Sequence, residues 1–428
     1  MSTSLVSRRS FLKASAAFAG AGAVTGISRP VLASEGIAQR PLMAYVGTYS
    51  SPEPFMRNGQ LNLPPGNGQG IHLFHVDRTT GALSPAGVQD LATSPTCLTL
   101  NAAGTRLYSA NATATMEDGD SGAVSAYAID PVSGQLTHLN TLSSGSAGPT
   151  YVSVHPSGKF LLVANYFGGS IAVLPILPDG KLGPATDVKK SVGTLGPKKA
   201  TDAPIGGFGF SGHEAPHSHM IQTDPAGRFI LSAEMGSDEI LVWKLDLTTG
   251  KLTLNDPSGV SLPPGDGPRH FAFHPVGHWL YSLQEESSTI VRFDYDAVEG
   301  RLTARQTVST LPPGFAGTNM ASEILISPDG KFLYASNRLH DSIAIFSIHE
   351  KDGSLTYLGE EWTHGDFPRT FNFHPSGELF YCCNQRGDTI TAFRRNPTSG
   401  LLTFTGQYTP VGSPGIILFL DLAKSSGE

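Results

Sequence analysis

The chain has 428 residues, of which 49 are Gly and 31 Pro, about 19% together against roughly 12% in average usage, so turns are frequent without the chain being low-complexity. A hydrophobic content of 39% supplies a large core, and a formal charge of −7 excludes the basic footprint that nucleic acid or an anionic membrane surface requires. Three cysteines, Cys97, Cys382 and Cys383, cannot form a disulfide framework, no Cys/His spacing marks a zinc site, and the adjacent pair reads as buried strand residues.

Residues 7–13 read SRRSFLK, and an Ala/Gly-rich apolar stretch from Ala14 to Ile27 leads to Val31-Leu32-Ala33, with small residues where a signal peptidase reads. This pattern predicts a twin-arginine export signal over residues 1–33, with the twin-arginine export machinery as partner and a periplasmic or secreted mature protein. The apolar stretch is too short and too rich in Ala and Gly for stable membrane insertion. Cleavage after Ala33 removes Arg8, Arg9, Lys13 and Arg29 and no acid, taking the formal charge from −7 to −11. Residues 34–42 then read as a linker, 43–422 as one repeat domain and 423–428 as a tail.

A Gly-x-Leu turn recurs seven times, at Gly81, Gly134, Gly180, Gly250, Gly300, Gly353 and Gly400, spaced by 53, 46, 70, 50, 53 and 47 residues. Between these turns stand a second set, His155-Pro-Ser-Gly158, Asp224-Pro-Ala-Gly227, His274-Pro-Val-Gly277, Ser327-Pro-Asp-Gly330 and His374-Pro-Ser-Gly377, with Asn101 to Gly104 a weaker copy. Each is followed by a short apolar run such as Phe160 to Ala164 or Phe332 to Ser336, suited to burial on both sheet faces. A third run, as in Ser170 to Leu174 and Ser342 to Phe346, is expected to alternate, and a fourth follows the Gly-x-Leu turn. The unit is a four-stranded antiparallel meander. The fold class is therefore all-β, a seven-bladed β-propeller. The first unit, opening at Tyr45, has no innermost strand of its own, and Pro414 to Leu420 is left over to supply it and close the ring.

With strands lettered A to D from the axis outward, the start of A and the end of B share one end of the propeller. The channel mouth there is the default ligand site. The A starts carry His217, His219, Arg269, Glu323 and Arg369; the B ends carry Tyr166, Glu285, Arg338 and Gln385. Most of these differ from blade to blade, unlike the repeated HP-turn histidines His155, His274 and His374, which read as structural. Arginines recognise carboxylate or phosphate bidentately, and a carboxylate beside an imidazole can move protons. Glu285 is the sharpest candidate, since its strand should be buried; an inter-blade salt bridge is the structural alternative for it, and for Glu323 and Arg338. By the two-residue strand period His217 and His219 share one side.

The 70-residue spacing contains an insertion from about Ala185 to Pro216, with Lys189-Lys190, Lys198-Lys199 and a Gly-rich run from Gly206 to Gly212. It lacks the strand–loop–helix context of a phosphate-binding loop. Because it leads into the His217 strand, it is expected to overhang the mouth as a lid, as is a second loop over Pro52 to Gly70.

The blade phrases GPTYVSVHPSGKFLLVANYFGGSIAVLPI (148–176), APHSHMIQTDPAGRFILSAEMGSDEI (215–240), GPRHFAFHPVGHWLYSLQEESSTI (267–290), ASEILISPDGKFLYASNRLHDSIAIF (321–346) and FPRTFNFHPSGELFYCCNQ (367–385) together resemble the seven-bladed propeller lactonases. That family includes bacterial 6-phosphogluconolactonases of the propeller type and fungal carboxy-muconate lactonising enzymes, and the likeness runs from about Met43 to Leu420. It implies a site made from a His of the PHxH phrase, an Arg of GPRH, a Glu of the next B end and an Arg of SNR. Here those are His217 or His219, Arg269, Glu285 and Arg338. Three stretches depart from the family pattern: Gly212-His213-Glu214 replaces an Arg-Gln pair, Gln284-Glu285-Glu286 replaces Asn-Glu-Leu, and Glu234-Met235-Gly236 replaces Asp-Leu-Gly. These departures, and export, weigh against a phosphorylated substrate.

The resemblance implies hydrolysis of a small sugar-type lactone with no cofactor and no metal. Glu285 would be the general base, Arg269 and Arg338 the anion-binding pair, and His219 or His217 the acid for the leaving oxygen. Glu323, Arg369, Tyr166 and Gln385 are expected to bind substrate, a small-molecule lactone or sugar acid. Two other readings stand beside this one: a muconate-type cycloisomerase using the same arginines on carboxylates, and a non-catalytic periplasmic binding propeller.

Overall fold

The computed structural model describes residues 40–50, 66–90, 93–112, 122–201, 203–204, 209 and 212–424. The expected export signal, residues 34–39 of the linker, most of the Pro52 to Gly70 loop and residues 425–428 lie outside them. Within the described residues no helix is long and apolar enough to cross a membrane.

Among the described residues, twenty-eight strands form seven antiparallel sheets of four. In blade 5, strands A to D are Pro268–Phe273, Trp279–Gln284, Thr289–Asp296 and Arg301–Ser309. Around the molecule each A strand packs beside the A strand of the next blade, through all seven, which closes the ring. The closing strand, Pro414–Asp421, pairs antiparallel with Leu42–Thr48, setting Met43 opposite Leu420 and Ala44 opposite Phe419. The C-terminal strand is thus the innermost strand of blade 1, as the leftover segment implied.

B strands are buried throughout, as in Phe160–Asn165 and Phe332–Asn337. The third strands do not alternate as expected: Ser170–Pro175 and Ser342–Ile348 are buried at nearly every position. Neighbouring blades cover both faces of a blade as far out as strand C, so Ala172 and Ala344 sit where the preceding sheet approaches. Alternation moves out to strand D, where Leu355–Trp362 changes between covered and exposed positions. Between blades 4 and 5 the packed layer includes Leu231, Ile240, Phe271, Leu280 and Phe293. Burying one such Phe contributes about 1.5–3 kcal/mol.

The Gly-x-Leu turns join strands C and D. Their glycines all hold φ between +69° and +87°, conformations that side chains rarely adopt. Gly353 also packs against the indole of Trp279, whose Cδ2 would lie 2.3 Å from an added Cβ. The turns have a second use. The hydroxyls of Tyr45, Tyr108, Tyr281, Tyr334 and Tyr381 donate to the carbonyls of Gly134, Gly180, Gly353, Gly400 and Gly81, at 2.8, 3.2, 2.7, 2.6 and 2.6 Å. Each bond ties the B strand of one blade to the turn of the next. Blades 3 and 4 have Leu162 and Leu231 at that position; for blade 3 the hydroxyl of Thr186 serves Gly250 instead, at 3.0 Å.

The HP turns join A to B at the far end of the channel, where His155 Nδ1 pairs with Ser157 and His274 Nε2 donates to the Gly330 carbonyl of the next blade. They are structural, as read. Cys97, Cys382 and Cys383 are free and buried. The insertion begins later than expected, because Asp187–Lys190 is the D strand of blade 3.

Candidate active site

Every A strand starts with an irregularity. Pro268 pairs with Gln284 and His270 with Leu283, so Arg269 is an extra residue with no partner across the ladder. The same bulge isolates Thr96, Thr150, His219 and Arg369 in blades 2, 3, 4 and 7, and Gly415 in blade 1. In blade 6 it takes in Ser322 and Glu323. A bulge re-aims the side chain it isolates. Of the residues so isolated, His219, Arg269, Glu323 and Arg369 are the ionisable ones, one from each of blades 4 to 7.

Arg269, Glu285 and Arg338 meet. Arg269 Nε lies 2.8 Å from Glu285 Oε2, and Arg338 Nη2 lies 2.7 Å from Glu285 Oε1, all three side chains being buried. Both carboxylate oxygens thus face a guanidinium group, one from the same blade and one from the next. Arg338 is fixed further by the carbonyls of Met320 and Ala321 and by the Phe367 ring, 5.3 Å from its guanidinium carbon. Arg269 Nη1 donates to the Ser322 carbonyl. Burial and the nearby Arg338 push the Arg269 guanidinium down to about 9, with Glu285 opposing them, so it stays charged at neutral pH.

The two histidines of the PHxH phrase meet the same ring, Tyr166, in different ways. His217 precedes the strand, stacks on Tyr166 at 4.2 Å, and bonds the Tyr166 carbonyl through Nδ1 and Glu214 through Nε2. His219, on the bulge, lies edge-on to both Tyr166 and His270, with ring centroids 5.6 and 5.0 Å away. Both rings meet Tyr166, in keeping with the shared side expected from the strand period, although the bulge takes His219 out of the ladder. Burial, then the charges of Arg269, His270, Arg369 and Arg338, hold His219 well below the usual imidazole range, so it is neutral at pH 7. Its Nδ1 is buried without a hydrogen-bond partner.

Arg369 lies over the Tyr49 ring at 4.9 Å. Gln385 is anchored by its backbone NH on the Phe367 carbonyl, and its side-chain oxygen is buried and unbonded. Glu323 stands behind the Arg269–Glu285 pair, with His270 between it and Arg269. It accepts a hydrogen bond from His270 Nδ1 at 2.9 Å and lines a channel cavity of about 610 Å³ together with Tyr151 and Thr370. That cavity is also lined by Pro156 and Pro375 of the far-end turns.

Sequence reasoning missed the partners behind this cluster. The three departures from the family pattern are bonded into the mouth face. His213 Nδ1 meets Glu286 Oε2 at 2.8 Å and its Nε2 meets Asp238 Oδ1 at 3.0 Å, while Gly212 NH donates to Glu286 Oε1 at 2.7 Å. Burial works against a charged His213, but the two carboxylates outweigh it and raise the imidazole to about 10. Glu234 accepts from the His217 NH and from Ser218 Oγ. The described part of the insertion follows the same face: Gly196 NH bonds the Gly236 carbonyl, and Thr201 NH that of Pro264. Most of the Gly-rich run lies outside the described residues.

The family model described as Lactonase, 7-bladed beta-propeller matches residues 43–419. The chain belongs to that lactonase family. It is 32% identical over 331 residues to the 6-phosphogluconolactonase of Bacillus subtilis, covering 77% of this chain and 84% of the relative. To the 6-phosphogluconolactonase of Formosa agariphila it is 29% identical over 307 residues, 71% and 82% of the two chains. Among solved structures, the periplasmic gluconolactonase of Pseudomonas aeruginosa superposes with a TM-score of 0.77 at 28% identity, covering 89% of this lactonase and 99% of that chain.

Proposed function

We propose that this lactonase hydrolyses a small sugar-type lactone at the mouth of its channel. The observation that carries the reading is the Arg269–Glu285–Arg338 contact beside a neutral His219, in a chain of this family. Water attacking a lactone carbonyl creates an oxyanion, and two fixed guanidinium groups favour that charge over the neutral carbonyl. When substrate exchanges for one of its guanidinium contacts, Glu285 accepts the proton of the attacking water. The carbon–oxygen bond of the ring then breaks, the proton passes from Glu285 to the leaving oxygen, and a hydroxy acid results. His219 serves as a neutral hydrogen-bond donor to that oxygen, because burial and the three arginines around it hold it uncharged.

Arg269, Arg338 and Arg369 outnumber Glu285 at the mouth, which suits an oxygen-rich or anionic ligand. The SRRSFLK segment and the likeness to a periplasmic gluconolactonase support export and a sugar lactone without phosphate. The test is hydrolysis of D-glucono-δ-lactone and of its phosphorylated counterpart by the purified protein, alongside export of a reporter fused to residues 1–33. Turnover of the unphosphorylated lactone, and export that is lost when Arg8 and Arg9 are both replaced by Lys, are expected. Folded protein that opens neither lactone would overturn the reading.

A further inference from the structure

Arg269 is followed directly by a second buried ionisable group, His270, and the two do not point apart as neighbours in a regular strand do. The bulge at Arg269 lets Nη1 come to 3.4 Å from His270 Nε2. A guanidinium group has only donors. Nε2 must therefore be the acceptor, which leaves the ring proton on Nδ1, where Glu323 Oε1 lies at 2.9 Å. The carboxylate is itself held by the NH of Ile324 at 3.0 Å. Tyr151 packs edge-on against the imidazole at 5.3 Å and His219 at 5.0 Å, so the ring has little freedom to turn. The opposite tautomer would aim an N–H at a group that cannot accept.

From this we infer that Glu323 and His270 are positioning residues for Arg269: Glu323 holds His270 as the Nδ1–H tautomer, and the bare Nε2 orients the guanidinium group that faces Glu285. The arrangement crosses a blade boundary, since Glu323 belongs to blade 6 and the other two to blade 5. It also gives the carboxylate on the channel side a task that direct contact with substrate at the mouth would not. Among the seven A-strand starts Glu323 is the one acid, and the residue after the bulge is Cys97, Tyr151, Met220, Ile324, Thr370 or Ile416 in the other blades. The pairing is therefore particular to the junction that builds the site. A carboxylate acting through an imidazole in this way fixes a tautomer without itself taking the proton.

The kinetic part of this inference rests on the lactonase reading; the tautomer does not. Ring-nitrogen NMR of histidine-labelled protein, with His270 assigned by its loss in a His270→Gln variant, is expected to show the proton on Nδ1. In Glu323→Leu the Nδ1 proton loses its acceptor, so the Nε2-protonated ring should become detectably populated, and kcat on the lactone should fall roughly tenfold or more with KM little changed, as misplacement of a catalytic group predicts. His270→Gln, whose amide oxygen can accept from Nη1, should retain more kcat than His270→Leu. If Glu323→Leu does not fold, the wild-type tautomer and the two His270 variants decide the matter. A wild-type ring protonated on Nε2, unchanged kcat in folded Glu323→Leu, or equal losses in His270→Gln and His270→Leu overturns the inference. Absence of lactone turnover by the wild type, with the Nδ1 proton present, removes the proposed function and leaves the tautomer standing.

Discussion

His213 Nδ1 lies 2.8 Å from Glu286 Oε2, joining two residues 73 positions apart that each break the family pattern. With Asp238 on its other nitrogen, His213 is a buried cation between two carboxylates, and it pins the end of the insertion to the B end of blade 5. Its imidazole is raised to about 10 in the fold against 6.5 for the ordinary group. A raised value means that folding is favoured by the bound proton. The stabilisation is complete below pH 6.5 and is lost as pH climbs from 6.5 through 10, at most about 1.4 kcal/mol per pH unit. Thermal unfolding followed between pH 7 and 10 should show a midpoint that falls, and a flatter profile in His213→Gln. Identical slopes in the two proteins would count against the clamp.

Which parts of this could be read from sequence follows from what each contact depends on. Turn glycines and doubly buried strands leave local signatures, so Gly353 or Phe332–Asn337 could be placed by pattern, and seven turns sufficed to count blades. Ring closure was legible because Pro414–Asp421 had no partner within its own repeat. Bringing Arg269, Glu285 and Arg338 together needed only the equivalence of strand ends. The bulge is different: it is a register shift, and no residue type announces it, so the approach of His270 to Arg269 could not be derived from a two-residue period. The third strands were misjudged for a related reason, since their Ser/Ala/Ile alternation reflects spacing between sheets rather than exposure. His213 and Glu286 were noticed as departures, but nothing local shows that one answers the other.

Glu285 separates two buried guanidinium groups, so its replacement tests chemistry and stability at once. Glu285→Gln keeps the size and one oxygen and should lower kcat by about 10²–10⁴, the usual span for loss of an acid–base group. Glu285→Leu leaves Arg269 and Arg338 facing each other and should in addition destabilise the fold by about 3–5 kcal/mol. Rates on glucono-δ-lactone and chemical unfolding of the same samples check both. A Gln variant with the full rate would remove Glu285 from the mechanism.

The tyrosine bonds between blades lend themselves to a conservative deletion. Tyr334→Phe and Tyr381→Phe each strip one hydroxyl from the Gly400 and Gly81 carbonyls without altering packing volume. Each should cost about 1 kcal/mol in unfolding free energy and leave lactone turnover unchanged, the bonds lying away from the mouth. Tyr381 ties blade 7 to blade 1, so a larger loss for it than for Tyr334 would mean that the seam is the weaker junction.

Removal of the residues after Val411 takes away the inner strand of blade 1 and exposes the edge of Leu42–Thr48. The truncated chain should expose apolar surface, measurable by dye binding, and associate into larger species in sedimentation. A monomer with native unfolding behaviour would show that the other six sheets hold the ring without it.

The pairing of Pro414–Asp421 with Leu42–Thr48 also sets a timetable for synthesis. A ribosome releases the first of these strands hundreds of residues before the second, and throughout that interval its hydrogen-bonding row has no mate. Contacts so distant in sequence form late. The nascent polypeptide thus spends nearly its whole translation open to pairing with a foreign strand, and any transport route that accepts only finished cargo must wait until Asp421 has emerged.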